Sequence, residues 1–282
     1  MSLIACISVD AQTIKIYKGT TLVAEYTADQ ADNVVFSKDN SEQSTTKKYV
    51  LESLQDVPEN GSQSTSNYTY DEQGRLISHI VSKDNKDDTY AYTYSEQQII
   101  MERVGTLSKN IYTLNDKGLI VKEEFYTING DLARCGTYEY DEEGKLASTS
   151  IDGKAHYIYR WQDGDMVKLE QATPKENVVA YTEFTPSELT ADYGQRVTYE
   201  TNMNENLFMK GYYGKLSKHL PAKELMMNIS GAITSALENN YTYTITDGCI
   251  TGVEANSSLT STPLNIKKEN TNNYTFVWKE IE

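Results

Sequence analysis

The sequence predicts an all-β protein: an antiparallel hairpin meander rolled into a single barrel-like sheet, soluble in water. Three observations predict it. A motif of the form Tyr-x-Tyr-Asp-x-x-Gly recurs through the middle of the chain, the segments after it alternate apolar and charged residues, and helical periodicity is scarce.

From the N-terminus, residues 1–11 open with an apolar run, Leu3 to Val9, and Val9-Asp10-Ala11 places small residues at the −3 and −1 positions of a cleavage site after Ala11. Three readings stand: a truncated secretory leader, a lipoprotein signal in which Leu3-Ile4-Ala5 precedes a lipidated Cys6, or a first strand. Residues 12–66 read as short strands and a connecting segment. TIKIYKGTTLVAEYTADQADNVVF (13–36) makes two strands around Lys18-Gly19-Thr20 and a short third. Residues 37–66, rich in Ser, Asn, Gln and Asp, connect, with one short element at 49–54.

Residues 67–282 form the repeat-built β domain. In NYTYDEQGRLISHIV (67–81), Tyr68 and Tyr70 stand two apart, hence on one face of a strand. Asp71-Glu72-Gln73-Gly74 supplies a turn-starting Asp and a Gly able to take positive φ, after which Arg75 to Val81 runs back as the partner strand. Asn115-Asp116-Lys117-Gly118 and Asp141-Glu142-Glu143-Gly144 repeat this chemistry. Weaker copies follow Tyr92-Thr93-Tyr94, Tyr157-Ile158-Tyr159 and Tyr241-Thr242-Tyr243. The first tyrosines of successive units, 68, 92, 112, 138, 157 and 181, lie 24, 20, 26, 19 and 24 residues apart, room for two strands and two connections each.

The return strands alternate. Leu119, Val121 and Phe125 share one predicted face and Lys122 and Glu124 the other; Val167 and Leu169 likewise oppose Lys168 and Glu170. One face is thus buried and one wet, which argues against a lipid-facing wall. Such a meander has edges and a half-buried face to manage, and rolling it up does both. The meander is expected over roughly 67–200, an irregular insertion over 211–224 and three more strands over 241–280. The helix candidates are short, Lys223–Met227 and Ile233–Glu238.

Composition narrows function. A net charge of −15 opposes a nucleic-acid or anionic-membrane partner. No apolar run approaches the roughly 18 residues of a spanning helix. The 22 tyrosines against 5 phenylalanines suit sheets whose aromatic rings pack while their hydroxyls stay wet. Cys6, Cys135 and Cys249 make no disulfide framework.

The opening IKIYKGTTLVAEYTADQADNVVF resembles that of many secreted proteins and lipoproteins of Bacteroidetes. The Tyr-x-Tyr-Asp-x-x-Gly repeats, GYYGKLSKHLPAKE (211–224) and YTYTITDGCITGVEA are similar to an uncharacterised domain family of those bacteria with a porin-like fold. The resemblance implies a rolled antiparallel sheet exported to the periplasm or cell surface, and it brings no catalytic residues. Tyr68 to Leu76 also resembles the tyrosine-aspartate repeats of polymorphic-toxin and teneurin shells, which need many more repeats and a cargo domain.

No nucleophile elbow, phosphate loop or metal-ligand spacing stands in the sequence, so no catalytic residue, metal or cofactor is expected. His79, His156 and His219 fall in different units, and the acidic turns at 84–88 and 163–165 lack a full calcium-ligand set. The remaining candidate is a ladder of Tyr70, Tyr94, Tyr140 and Tyr159, offering rings to a ligand or packing on one another. The function expected is that of a non-enzymatic envelope protein binding a ligand such as a glycan, or a partner protein. The alternatives are a glycan-acting hydrolase with carboxylates inside the barrel and a structural or adhesive repeat protein.

Overall fold

A computed structural model describes residues 13–18, 21–27, 48–172, 178–195 and 203–281. The chain forms two compact units, Met1–Thr46 and Lys47–Glu282. In the first, β1 (Thr13–Lys18) and β2 (Thr21–Thr27) pair antiparallel, as the alternation around Lys18-Gly19-Thr20 predicts. The leader at 1–11, with Cys6, and the third short strand lie outside the described residues.

The second unit is a closed antiparallel barrel of sixteen strands. Its first half is β3 (Lys48–Pro58), β4 (Ser64–Tyr70), β5 (Leu76–Lys83), β6 (Lys86–Tyr94), β7 (Gln98–Arg103), β8 (Lys109–Leu114), β9 (Ile120–Tyr126) and β10 (Leu132–Tyr140). Next come β11 (Leu146–Ile151), β12 (Lys154–Gln162), β13 (Asp165–Gln171), β14 (Val178–Pro186), the short helix α1 (Glu205–Met209), β15 (Pro221–Ser230), β16 (Ile233–Thr246), β17 (Cys249–Thr262) and β18 (Ile266–Ile281). Each strand pairs with its chain neighbours, and β18 pairs with β3 to close the ring. Closure leaves no sheet edge, which disposes of the aggregation hazard of a long meander.

The hairpin chemistry is as the repeat predicts. Asp71 Oδ1 accepts the N–H groups of Gln73 and Arg75 at 3.0 and 2.9 Å, and Gly74 takes φ +74°. Asn115 and Asp141 cap their turns in the same way. The Asp163-Gly164 turn is tighter, with both residues at positive φ.

One register feature overturns the predicted faces. Beside each turn the return strand carries one extra residue: Tyr70 pairs Leu76 but Thr69 pairs Ser78, and Leu114 pairs Ile120 but Thr113 pairs Lys122. The same bulge recurs at Ala147 and Val167. A bulge sends the residues beyond it to the opposite face, so the inward pairs are Leu76 with His79, Ile120 with Glu123, Leu146 with Thr149 and Met166 with Leu169. Leu119, Val121 and Phe125 therefore do not make the buried face: Ile120 does, and Glu123, at 2% exposure, points into the lumen.

Three further expectations are corrected. Residues 48–58, read as part of a connection, form β3, because Val50, Leu51 and Leu54 are buried and β18 and β4 bond its two sides. The helix candidates Lys223–Met227 and Ile233–Glu238 lie in β15 and β16, paired in unbroken register from Lys223↔Asn240 to Ser230↔Ile233; strand partners on both sides outweigh local helix propensity. The residues 211–224 divide between an irregular segment and β15, and the described helix, α1, was in no predicted segment.

The outer wall is charged at mid-strand. Arg160 and Lys168 both reach Glu170, Lys168 reaches Glu183, Lys122 pairs Glu124 and Lys223 pairs Glu238. Among the described residues no helix is long and apolar enough to cross a membrane.

Candidate functional site

Strand ends at one rim follow a single rule. An aromatic residue near the end of a strand donates its side-chain proton to a carbonyl at the start of the preceding strand: Tyr94 to Leu76, Tyr140 to Ile120, Trp161 to Leu146, Tyr243 to Pro221 and Trp278 to Ile250, at 2.6–2.9 Å. Each donor satisfies a carbonyl that the bulge or strand start leaves off the ladder. One layer deeper, Tyr92, Tyr112, Tyr138, Tyr159 and Phe184 form the core of the lumen.

That alignment places the predicted ladder. Tyr70, Tyr94 and Tyr140 are equivalent, but Tyr159 belongs to the deeper layer with Tyr138, and Trp161 holds the rim position of β12. The tighter Asp163-Gly164 turn lengthens the strand by two residues, a difference the Tyr-x-Tyr spacing does not carry.

The described parts of the connection from β14 to β15, residues 187–195 and 203–220, occupy this rim. Met203, Leu207, Phe208 and Tyr213 join the tyrosine core. Asn204 caps α1 by accepting the Leu207 N–H at 3.1 Å, while its amide reaches Tyr112 Oη; Asn206 reaches Tyr92 Oη. Lys210 donates to the Gly74 carbonyl and lies over the Tyr70 ring; Tyr212 stacks obliquely on Tyr94. The backbone then bonds one turn after another, Lys215 N–H to Gly144 O at 2.9 Å and Lys218 N–H to Gly164 O at 3.1 Å. Gly214 passes so close that a methyl there would stand 2.5 Å from the Gly144 oxygen. The ladder rings thus face residues of the chain itself.

Opposite the tyrosine core, between this segment and the wall of β15 to β18, lies a cavity of about 330 Å³. Tyr241, Tyr243 and Tyr274 line it, with Met226 and the carboxylates of Asp165, Glu205 and Glu224. Asp165 is engaged through both oxygens: Oδ1 accepts the His219 backbone N–H at 2.7 Å and Oδ2 bonds the imidazole Nδ1 at 2.8 Å. Glu224 is buried and, among the described residues, held through one oxygen, Oε2, which accepts from Asn239 Nδ2 at 2.8 Å and Tyr241 Oη at 2.7 Å. Burial and the Glu224 charge hold the Tyr241 and Tyr243 hydroxyls well above the usual tyrosine range, so both stay protonated donors. Asp165 stands in an acidic turn and Tyr241 and Tyr243 in a weaker repeat, but Glu224 and Glu205 carry no signal in the sequence; the inward alternation of Glu224 with Asn239 and Tyr241 is visible only once β15 and β16 are known to pair.

Two other buried polar groups serve the core. Glu123 accepts from Asn110 Nδ2 and Tyr138 Oη at 2.6 and 2.8 Å and pairs with Arg134; burial raises its pKa against those three partners. His79 stacks on Tyr90 and bonds Tyr92 Oη. Cys135 and Cys249 are free thiols. Among the described residues no three or more His, Cys, Asp or Glu side chains group closely enough to hold a metal ion.

Residues 68–250 match the family model described as "Domain of unknown function (DUF4595) with porin-like fold". No curated protein matches the chain. Among solved structures, a porin-like protein from Bacteroides uniformis ATCC 8492 superposes with a TM-score of 0.58 at 16% identity, over 81% of this chain and 98% of that one. At that identity the likeness speaks for the fold alone.

Proposed function

The chain belongs to this family of porin-like fold and unknown function, and from that premise we propose that it is a non-enzymatic, exported cell-envelope protein that binds a small polar ligand, a glycan being the leading class, inside its barrel. The observation that carries the reading is the cavity of about 330 Å³, within the size range of small-ligand sites and lined by three tyrosines beside a carboxylate held through a single oxygen. Aromatic faces with a few fixed polar groups suit a sugar, whose rings have one apolar side. The ion pairs along the outer wall support a barrel that works in water, since Lys and Glu on a lipid-facing wall are destabilising. The apolar run from Leu3 to Val9 supports export.

The test is calorimetry of the full chain against a glycan panel and soluble envelope fractions, repeated with Met226→Trp, which fills the cavity. Saturable binding that falls about tenfold or more in the variant is expected. Binding that survives the filled cavity, or silence across the panel, refutes the reading.

A second reading, a glycan-acting hydrolase, draws on Asp165, Glu205 and Glu224 lining one cavity. It requires turnover of a bound glycan that Glu224→Gln abolishes.

A further inference from the structure

The cavity offers acceptors and π-faces but few free donors. The Tyr241 hydroxyl is committed to Glu224 and the Tyr243 hydroxyl to the Pro221 carbonyl, so their rings are what they present to the space. The two rings stand 6.2 Å apart, inclined by 32°. The Gln195 amide donates to the Ser217 carbonyl, and His219 is tied to Asp165. Among the described residues no Lys or Arg lines the cavity. Glu224, 7% exposed, has both of its protein hydrogen bonds on Oε2; among the described residues Oε1 meets no partner. A buried carboxylate oxygen without a donor is costly, and the group that relieves it must bring N–H or O–H.

We propose that this cavity selects a ligand carrying a protonated amine, with the N–H groups meeting Glu224 Oε1 and the carbon skeleton lying against the tyrosine rings. The inference rests on the ligand-binding reading above and narrows its chemistry. An ammonium gains twice here: from a charge-assisted hydrogen bond to Oε1 and from attraction to the ring faces, each stronger in a site removed from water. A neutral hydroxyl gains only the first, and more weakly. An anionic ligand would meet Glu224 with no Lys or Arg among the described lining residues to offset the repulsion. Amino sugars and linear polyamines share the required chemistry.

The experiment is titration calorimetry of the full chain with four probes: glucosamine, spermidine, N-acetylglucosamine and glucose. The amine probes are expected to bind saturably, and N-acetylglucosamine and glucose about tenfold or more weakly; glucosamine against spermidine distinguishes the amino-sugar source from the polyamine. Glu224→Gln keeps an acceptor for Asn239 and Tyr241 but turns an amide N–H₂ to the cavity, and should reduce amine binding about tenfold. Met226→Lys leaves the Glu224 network intact and brings a competing ammonium to the same space, so it should reduce amine binding as well; melting curves check that both variants fold. Equal binding of glucose, N-acetylglucosamine and glucosamine overturns the amine inference and leaves the ligand-binding reading standing. Amine binding indifferent to both variants overturns the assignment to this cavity. No binding by any probe, with silence across the glycan panel, overturns both readings.

Discussion

Acid should destabilise this barrel through His79, and the size of the effect follows from its surroundings. His79 lies inside the lumen, stacked on Tyr90 with ring centroids 4.6 Å apart and bonded through Nδ1 to Tyr92 Oη at 3.2 Å. Asn206 donates its amide to the same Tyr92 oxygen, and the enclosed ring favours the neutral imidazole. Burial lowers the His79 pKa from 6.5 to about 4. Between those values the unfolded chain binds a proton that the native barrel does not, so stability falls as pH drops below about 6.5, and the loss is complete near pH 4. At 1.36 kcal/mol per pKa unit the loss is roughly 3 kcal/mol, a large share of the 5–15 kcal/mol of an ordinary domain. The assay is urea denaturation at pH 7.5, 6, 5 and 4 on the wild type and His79→Gln. Carboxylate titration is common to both proteins and cancels in their difference. The wild type should therefore lose about 3 kcal/mol relative to the variant over this window. Parallel stability curves would refute the argument, whatever the absolute stability of the variant.

Two further outcomes follow from the rim. Gly214→Ala should cost about 2–4 kcal/mol and open the segment 203–220 to proteolysis, because the added methyl meets the Gly144 carbonyl and the Tyr140 ring at a φ of +92°; Gly118→Ala, at a φ of +76° with nothing within 4 Å, isolates the backbone part and should cost only about 1–2 kcal/mol in the same denaturation assay. Tyr140→Phe keeps the ring and removes the bond to the Ile120 carbonyl; a loss of about 1 kcal/mol is expected in chemical denaturation, and ligand titration should be unchanged if the ladder is structural.

The repeat made much of the barrel legible. Asp71, Asn115 and Asp141 announce turns because a short acceptor side chain followed three residues later by glycine has few other uses, and the tyrosines two apart before each turn do face inward. What misled was the residue after the turn. Ile77, Val121, Ala147 and Val167 are chemically suited to a buried face, yet each is the extra residue of a bulge, and nothing in the composition of a return strand marks a bulge before its partner is known. The same limit hid the cavity. Glu224 looks like any strand glutamate until β16 brings Asn239 and Tyr241 to its Oε2, and His79 looks like a surface histidine until three aromatic neighbours and a bulge enclose it.

By itself, the sequence determined strand content, turn positions and the inward set of the hairpins' outgoing strands, since these depend on local backbone chemistry and a period of two. Closure through β18 and β3, the register of the return strands and the filling of one rim by residues 203–220 were decided only in the tertiary structure. Each of those depends on groups distant along the chain meeting at hydrogen-bonding distance, which no local pattern encodes.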